Sequence, residues 1–225
     1  MAATGARARS SAVEDYAKAI YALSRRGRGA VTTNALAERL SVTPASVSAM
    51  LKKLDQHGLV THTRYHGVQL TDSGERIALE VLRHHRLLEL YLAEQLDVPW
   101  DRVHEEAEAL EHALSGDLAD RIDAKLGHPT HDPHGDPIPS AELTIDEGDT
   151  VSLDALPPGG RGRFVRVSDS EPDMLRWLTE NGIELGVSLE VVDRQPFDGP
   201  VTVRIRDTEH VLGGRLMRAM RVQPG

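Results

Sequence analysis

The segment VHEEAEALEHALS, residues 103–115, places two imidazoles and two carboxylates along one side of a predicted helix. These residues, at positions i, i+4, i+7 and i+8, are His104, Glu108, Glu111 and His112. They border the stripe of apolar residues that would face the protein core. Carboxylates at this spacing repel one another, and burial disfavours the charged form of both residue types. A divalent cation would remove both costs, so the segment predicts a metal site at the edge of the core.

Further candidate ligands stand on two other predicted helices. His85 and Glu89 form an i, i+4 pair on the long helix that precedes the segment, and Asp15 lies near the start of the first helix. Each residue by itself is also compatible with a surface carboxylate, a capping histidine or a solvated pair. Their joint occurrence favours a metal site, because such an ion needs several ligands from more than one element.

Composition limits the classes of protein that fit. The chain has 225 residues, 40% hydrophobic and 27% charged, and it has no cysteine. These values are typical of a soluble globular protein of about one to three domains, without disulfides or thiolate metal sites. No apolar run approaches the roughly 20 residues of a membrane span, and the N-terminus has no apolar signal region. We therefore expect a cytoplasmic protein with no membrane partner.

The charge is unevenly distributed along the chain. Residues 1–75 carry 10 Lys and Arg against 6 Asp and Glu, a net of +4. Residues 76–225 carry 16 against 29, a net of −13. A basic first third joined to an acidic remainder indicates that polyanion binding and a second task are separated along the chain.

The basic third has the pattern of a winged helix-turn-helix. Three predicted helices contain VEDYAKAIYALSRR, TTNALAERL and TPASVSAMLKKLDQHG, and two short alternating strands follow. Two helices joined by a short turn and followed by a hairpin are typical of DNA-binding proteins. The recognition helix would begin at Pro44, with small residues facing base edges and lysines near phosphates. The candidate DNA contacts are Thr43, Ala45, Ser46, Ser48, Ala49, Lys52, Lys53 and Arg64.

Residues 1–75, the DNA-binding domain, are followed by three further predicted regions. Residues 76–126 are predicted as apolar helices that dimerise, and residues 127–149 as a Pro/Gly-rich linker. This linker contains His128, His131 and His134, which are predicted to be solvated because no acidic helix accompanies them. Residues 150–225 are predicted as a small SH3-like β-barrel of short strands with one helix. The predicted fold class is therefore α+β and multidomain: a winged helix-turn-helix, a helical dimerisation domain and a C-terminal SH3-like β-barrel.

The chain resembles metal-dependent repressors of the diphtheria-toxin-repressor (DtxR/MntR) family over nearly all of its length. The matching segments, in the family's order and spacing, are EDYAKAIYAL, LAERLSVTPASVSAMLKKLDQHGLV, LTDSGERIA, HHRLLELYLAEQL, VHEEAEALEH and GDPIP. The last third is similar to the family's SH3-like domain, which also occurs in ferrous-transport accessory (FeoA) proteins. The segments LPPGGRGRFVRV and LTENGIELGVSLEVVDR carry that similarity.

The resemblance implies two metal sites. The primary, regulatory site would consist of Asp15, Glu108, Glu111 and His112. The ancillary site would consist of His85, Glu89 and His104, completed by polar side chains of the SH3-like domain. There the segment SDSEPD departs from the family's glutamate and glutamine, and Glu171 and Asp173 are the nearest candidates.

The resemblance also bears on the choice of metal. Iron-responsive members have methionine at the position of Asp15 and cysteine at that of Glu108, whereas manganese-responsive members have aspartate and glutamate, as here. Mn(II) is a hard ion that gains most from carboxylates. Some short manganese sensors have glutamate at the position of Lys18, so the lysine favours two separated sites over a dimanganese pair. We expect Mn(II), with Fe(II) or Co(II) as alternatives.

These features predict a homodimeric repressor of metal homeostasis genes that binds double-stranded operator DNA, with the metal as corepressor. An iron-responsive repressor of the same family is one alternative. A winged-helix regulator with an organic effector is another alternative, although a chain with 4% aromatic residues has few aromatic side chains to line an apolar pocket. We do not expect an enzyme, because no nucleophile, general base or Gly-rich phosphate loop accompanies the candidate ligands.

Overall fold

The computed structural model describes residues 10–26, 30–63, 67–197 and 199–225. Its contacts divide the chain into two units. The first unit contains the residues up to His84 together with Glu111–Leu114 and Pro139–Thr144. The second unit contains His85–Leu110, Ser115–Ile138 and Ile145–Gly225.

The first unit begins with three helices and a hairpin. These elements are α1 Ser11–Arg26, α2 Thr33–Arg39, α3 Pro44–Gln56, β1 Val60–Thr63 and β2 Gly67–Leu70. Thr32 and Thr43 cap α2 and α3, because their hydroxyl oxygens accept hydrogen bonds from Ala35 N and Ser46 N, both at 3.2 Å. The two antiparallel strands pair residue by residue along their whole length. The predicted helix-turn-helix followed by a hairpin is confirmed.

The helices of this unit share one apolar core. α1 contributes Tyr16 and Ile20, α2 contributes Leu36, and α3 contributes Val47 and Leu51. Burial of each large apolar side chain stabilises the fold by about 1.5–3 kcal/mol. The position of α3 therefore depends on the apolar face of α1.

Three further helices follow, namely α4 Asp72–Leu96, α5 Val103–Leu110 and α6 Gly116–Lys125. The prediction of one helix over residues 103–115 is wrong, because α5 ends at Leu110 and residues 111–113 form a turn. Ser115 caps α6 by accepting a hydrogen bond from Leu118 N at 3.3 Å, so a new helix begins where the first was expected to end. None of the helices in the described parts of the chain is long and apolar enough to cross a membrane.

The second unit ends in a six-stranded antiparallel sheet. Its strands are β3 Val151–Ser152, β4 Arg161–Val167, β5 Ser188–Arg194, β6 Val201–Ile205, β7 Thr208–Leu212 and β8 Met220–Pro224, in the order β3-β8-β4-β5-β6-β7. The connections include a 3₁₀ helix Leu153–Ala155, α7 Pro172–Glu180 and α8 Gly214–Ala219. Phe164, Val191 and Val203 are among the strand residues of its core. The predicted SH3-like β-domain is confirmed, as a sheet that no pairing among the described residues closes into a barrel.

The segment between α6 and β3 has no helix or strand in residues 127–149, yet part of it packs tightly within the second unit. Gly135 has a φ of +82°, and a Cβ atom at this position would lie 2.0 Å from Val165 O. Arg86 and Arg166 pair with the carboxylate of Asp136, at 3.4 and 2.5 Å. These contacts hold the segment against α4 and β4.

Candidate metal centres and DNA-binding helix

The first cluster of ligand atoms lies in the first unit, between α1 and the turn of residues 111–113. His112 Nδ1 lies 2.6 Å from Glu14 Oε2, and His112 Nε2 lies 2.8 Å from Asp15 Oδ1. The same Nε2 atom is 3.5 Å from Glu111 Oε1. One ligand atom from each of Asp15, Glu111 and His112 lies within 4.8 Å of the others. Three predicted ligands of the primary site are therefore close together.

The two faces of α1 position this cluster. Tyr16, Ala19 and Ile20 are buried in the helix-turn-helix core. Asp15 and Lys18, three positions apart, share a different face of the helix and are partly exposed. A ligand that binds Asp15 would therefore act on the same helix that supports α3.

Positive side chains balance the carboxylates of this cluster. Lys18 Nζ donates to both carboxylate oxygens of Glu111, at 2.6 and 2.8 Å, and the Glu111 side chain is 0% exposed. Burial opposes the charged form of His112, but the hydrogen bond to Glu14 and the charges of Asp15 and Glu111 outweigh it, so the pKa of His112 is raised. The cluster therefore attracts positive charge.

The second cluster lies in the second unit, between α4, α5 and the loop after β4. His85 Nε2 lies 3.0 Å from Glu89 Oε1 and 3.1 Å from His104 Nδ1. His104 Nδ1 lies 3.2 Å from Glu89 Oε1 and 2.9 Å from Asp169 Oδ2. Four possible ligands from three elements thus converge, with ligand atoms within 4.8 Å of one another.

Hydrogen bonds in this cluster shift the pKa values of its members. Those to Asp169 and Glu89 raise the pKa of His104 to about 10, against the opposing effect of burial. Burial alone would raise the pKa of Glu89, but hydrogen bonds to His104 and His85 lower it. Burial likewise opposes ionisation of Asp169, and its hydrogen bond to His104 lowers the pKa. Both carboxylates are therefore held in the charged form that a metal ion needs.

The buried part of the segment after α6 adds His134 and Asp132 to this region. His134 is 0% exposed, and its Nε2 atom lies 2.7 Å from Trp100 O. Because a carbonyl oxygen only accepts, Nε2 donates this hydrogen bond, and Nδ1 is the ring nitrogen that a metal ion could bind. Within the described chain, this buried Nδ1 atom has no hydrogen-bond partner. It lies 4.0 Å from both Glu89 Oε1 and Asp132 Oδ1, an arrangement that suits a divalent cation.

The donor chemistry of both clusters fits a divalent metal ion. The first cluster offers carboxylate oxygens with one imidazole, whereas the second combines carboxylates with several imidazoles. Oxygen ligands suit Mn(II), and imidazole suits later ions such as Fe(II), Cu(II) and Zn(II). The two clusters therefore differ in the ions they would favour.

Glu108, the fourth predicted ligand of the primary site, belongs to the second unit. It lies on α5 and is exposed, and its Oε1 atom is 3.9 Å from His104 Nε2. Its role at the primary site stays a prediction.

The loop that was expected to complete the ancillary site contributes a different residue. Glu171 pairs with Arg215, and Asp173 pairs with Arg176. The carboxylate of this loop that the structure brings to the second cluster is that of Asp169. The sequence pointed to Glu171 and Asp173 because they stand nearest to the family's glutamate and glutamine, although Asp169 lies in the same acidic segment.

The three histidines of the predicted linker do not behave alike. His128 and His131 are exposed, as expected, but the prediction that His134 is solvated is wrong. Gly135 has no Cβ atom, so the backbone can approach β4 closely, and this approach buries the neighbouring imidazole. A glycine between a histidine and an aspartate was the signal that could have identified the buried turn.

The predicted recognition helix, α3, and its capping residue expose every predicted DNA contact that the structure describes. These exposed residues are Thr43, Ala45, Ser46, Ser48, Ala49, Lys52 and Lys53. The opposite face buries Val47, Leu51 and Leu54. Arg64, the remaining predicted contact, lies outside the described residues. The exposed face thus carries small side chains near the start of α3 and basic side chains further along it.

Three family models match successive parts of the chain. "Iron dependent repressor, N-terminal DNA binding domain" matches residues 10–68. "Iron dependent repressor, metal binding and dimerisation domain" matches residues 71–140, and "FeoA domain" matches residues 151–224.

Individual proteins show the same similarity. The chain is 34% identical to the iron-dependent repressor IdeR of Mycobacterium tuberculosis over 65% of its own length and 66%, just under two thirds, of that protein. It is 36% identical to the HTH-type transcriptional regulator MntR of Lysinibacillus sphaericus, over 49% of this chain and 78% of that protein. A solved manganese-dependent transcriptional repressor in complex with manganese is 42% identical, with a TM-score of 0.90, over 95% of this chain and 100% of that one.

Proposed function

The chain belongs to the iron-dependent repressor family of metal-dependent, DNA-binding transcriptional regulators, and from this premise we propose that it is a manganese-responsive repressor that binds operator DNA as a homodimer. The observation that carries the proposal is the first cluster, in which Asp15, Glu111 and His112 converge on the helix that supports α3. Its oxygen-rich donor set supports Mn(II), as does the similarity to a manganese-dependent repressor. The regulated genes would serve manganese uptake or efflux.

Asp15, Glu111 and His112 would hold the regulatory ion, and the family resemblance adds Glu108 to them. The ion supplies positive charge that neutralises the carboxylates. Asp15 is adjacent to the buried Tyr16, so tying its carboxylate to Glu111 restrains α1 and, through the shared core, α3. In a dimer, this restraint would keep the two recognition helices about 34 Å apart, which is the separation of successive major grooves on one face of DNA. The DNA-competent population is thereby favoured.

We assign the second cluster as a supporting, ancillary site. Its ligands would be His85, Glu89, His104 and Asp169, with Asp132 and His134 beside them. Asp169 takes the place of Glu171 and Asp173 in this assignment, because arginines hold those two carboxylates. Since the ligands come from α4, α5 and the loop after β4, filling this site would hold the sheet to the helices of the second unit.

The test is binding to a labelled fragment of the protein's own promoter, measured by fluorescence anisotropy during titration with Mn(II), anaerobic Fe(II), Co(II) and Zn(II). Binding should require metal, with Mn(II) effective. Glu111→Ala or His112→Ala should abolish it, whereas Glu106→Ala, which removes an exposed acid of α5, should behave as the wild type. His85→Ala or Glu89→Ala should weaken activation without ending it. Equal loss in both pairs would contradict the ranking of the sites.

An iron-responsive repressor is the second candidate, favoured by the similarity to the mycobacterial iron-dependent repressor. It predicts activation by anaerobic Fe(II) at lower concentrations than Mn(II) in the same titration. DNA binding that needs no metal would overturn both candidates and favour a winged-helix regulator with an organic effector.

A further inference from the structure

Lys18 forms an ion pair with Glu111, whose carboxylate is needed by the proposed regulatory site. Its Nζ atom lies 2.6 Å from Oε1 and 2.8 Å from Oε2 of Glu111. The lysine side chain is 13% exposed and the glutamate side chain 0% exposed. A cation carried by the chain itself therefore uses both oxygens of Glu111, next to the ligand atoms of Asp15 and His112.

We propose that Lys18 is a tethered competitor of the regulatory metal ion. Its ammonium group must move away from Glu111 before a divalent ion can occupy the site, and this exchange sets the metal concentration to which the protein responds. The inference rests on the proposed function, because it concerns the same site.

Electrostatics makes the two cations exclude each other. The ligand atoms of Asp15, Glu111 and His112 lie within 4.8 Å of one another, so an ion held by all three would stand beside an ammonium group bound to Glu111. Like charges at such short range repel strongly where burial limits screening by water. Occupation by the ion therefore requires that Lys18 moves away from Glu111.

Because Lys18 is part of the chain, its competition with the metal ion is always present. Lys18 belongs to α1, so its effective concentration at Glu111 is set by the fold and does not change with the cell's metal supply. The lysine also has a use when metal is scarce, because its positive charge offsets part of the cost of ionising a carboxylate that is fully buried. It provides the counter-charge of Glu111 in the metal-free protein and raises the metal concentration needed to replace it.

Mn(II) affinity of charge variants tests the proposal, measured from the EPR signal of free Mn(II). The full chain carries His104→Ala in all samples, so that binding at the second cluster is weakened equally. Lys18→Met keeps the aliphatic stem and removes the charge, whereas Lys18→Arg keeps the charge and is the matched control. Lys18→Met should bind Mn(II) about ten-fold more tightly or better, and Lys18→Arg should stay within about three-fold of the parent. An unchanged or weaker affinity in a folded Lys18→Met protein, judged by circular dichroism, overturns the proposal.

A second measurement uses the parent chain and does not depend on the folding of Lys18→Met. The chain has four lysines, Lys18, Lys52, Lys53 and Lys125, so labelled lysine side chains give few NMR signals, and Lys18→Arg identifies that of Lys18. Diamagnetic Cd(II) should shift the Lys18 ε-methylene signal towards those of the exposed lysines as His112 binds the ion. A Lys18 signal that stays in place while the His112 signal moves overturns the proposal.

The two proposals fail in different ways. Metal-dependent promoter binding by the wild type, combined with an unaltered Mn(II) affinity in Lys18→Met, would remove only the role of Lys18. A wild-type protein that binds its promoter equally with and without metal would remove the proposed function itself.

Discussion

His134 and Glu89 are both buried, and Nδ1 of His134 lies 4.0 Å from Oε1 of Glu89. The imidazole is held there by the hydrogen bond from its Nε2 atom to Trp100 O, at 2.7 Å. A buried nitrogen without a partner costs about 1–3 kcal/mol, and a bound ion would offset that cost. This relationship links the segment after α6 to the second cluster, and its contribution can be measured.

His134→Ala should weaken metal binding at the second cluster by about ten-fold or more, because the variant lacks a ligand or close supporting group. Trp100 can report it, because its ring centroid lies 6.0 Å from that of His134 and paramagnetic Co(II) quenches nearby indole emission. The titration is made in a Trp177→Phe background, so that Trp100 is the one remaining tryptophan of the two in the chain. His131→Ala, which removes an exposed histidine of the same segment, should titrate as the parent does. Equal midpoints for both variants would exclude His134 from the site.

Gly135→Ala should lower the free energy of unfolding by about 2 kcal/mol or more, because it adds a clash to backbone strain. Its Cβ atom would lie 2.0 Å from Val165 O, in a backbone conformation with a φ of +82°. Gly127→Ala is the matched control, since Gly127 has a φ of +78° but no atom within 4 Å of a built Cβ. The control should cost about 1 kcal/mol, from strain alone. Urea unfolding of both variants measures the difference in their free energies of unfolding. Equal destabilisation of the two variants would show that the close approach to Val165 does not contribute to the cost of Gly135→Ala.

The stability of the metal-free protein should fall as pH rises from about 6.5 to about 10, owing to His104. Its pKa is raised from 6.5 to about 10 in the fold by hydrogen bonds to Asp169 and Glu89. A group with a raised pKa binds more protons when folded, so its stabilisation is complete below the unfolded pKa and is lost as pH passes the folded pKa. Chemical unfolding in the presence of a chelator measures this slope. His104→Gln should flatten it, and an unchanged slope in that variant would assign the effect to other groups.

Lys52→Ala and Lys53→Ala should each weaken DNA binding across sequences and reduce its salt dependence, because each variant would neutralise about one phosphate fewer and release about one counterion fewer. Both lysines are exposed on α3, so neither change removes core packing. Lys125→Ala on α6 removes the same charge elsewhere and should leave the salt slope unchanged. Substitution of Ser46, Ser48 or Ala49 should instead alter base preference. Unaltered salt slopes in both α3 variants would mean that this helix does not bind phosphates.

Asp15→Met combined with Glu108→Cys should abolish activation by Mn(II) while Fe(II) or Co(II), under anaerobic conditions, stays effective. The double change replaces two carboxylates by a thioether and a thiolate, which suit softer ions. Asp15→Met combined with Glu105→Cys, at an exposed position of α5, controls for the thiol alone. Promoter binding at one ionic strength measures the order of metals. A wild-type order in the Glu108 double variant would show that selectivity lies elsewhere.

The sequence by itself determined most of the secondary structure and the types of side chain that are available as metal ligands. The helices of the first unit follow from apolar residues at helical spacing and from the capping hydroxyls of Thr32 and Thr43. These signals are local, so they are readable without knowledge of distant contacts. Residue types also indicated a divalent metal, because carboxylates and imidazoles recur beside the apolar stripes.

The tertiary structure decided which of these residues meet. His134 is buried because Gly135 lets its segment approach β4, and Asp169 joins the second cluster while Glu171 pairs with Arg215. The Lys18–Glu111 pair joins residues 93 positions apart. Whether two such side chains touch depends on how the chain folds back on itself, and the local spacing of residue types does not contain that information.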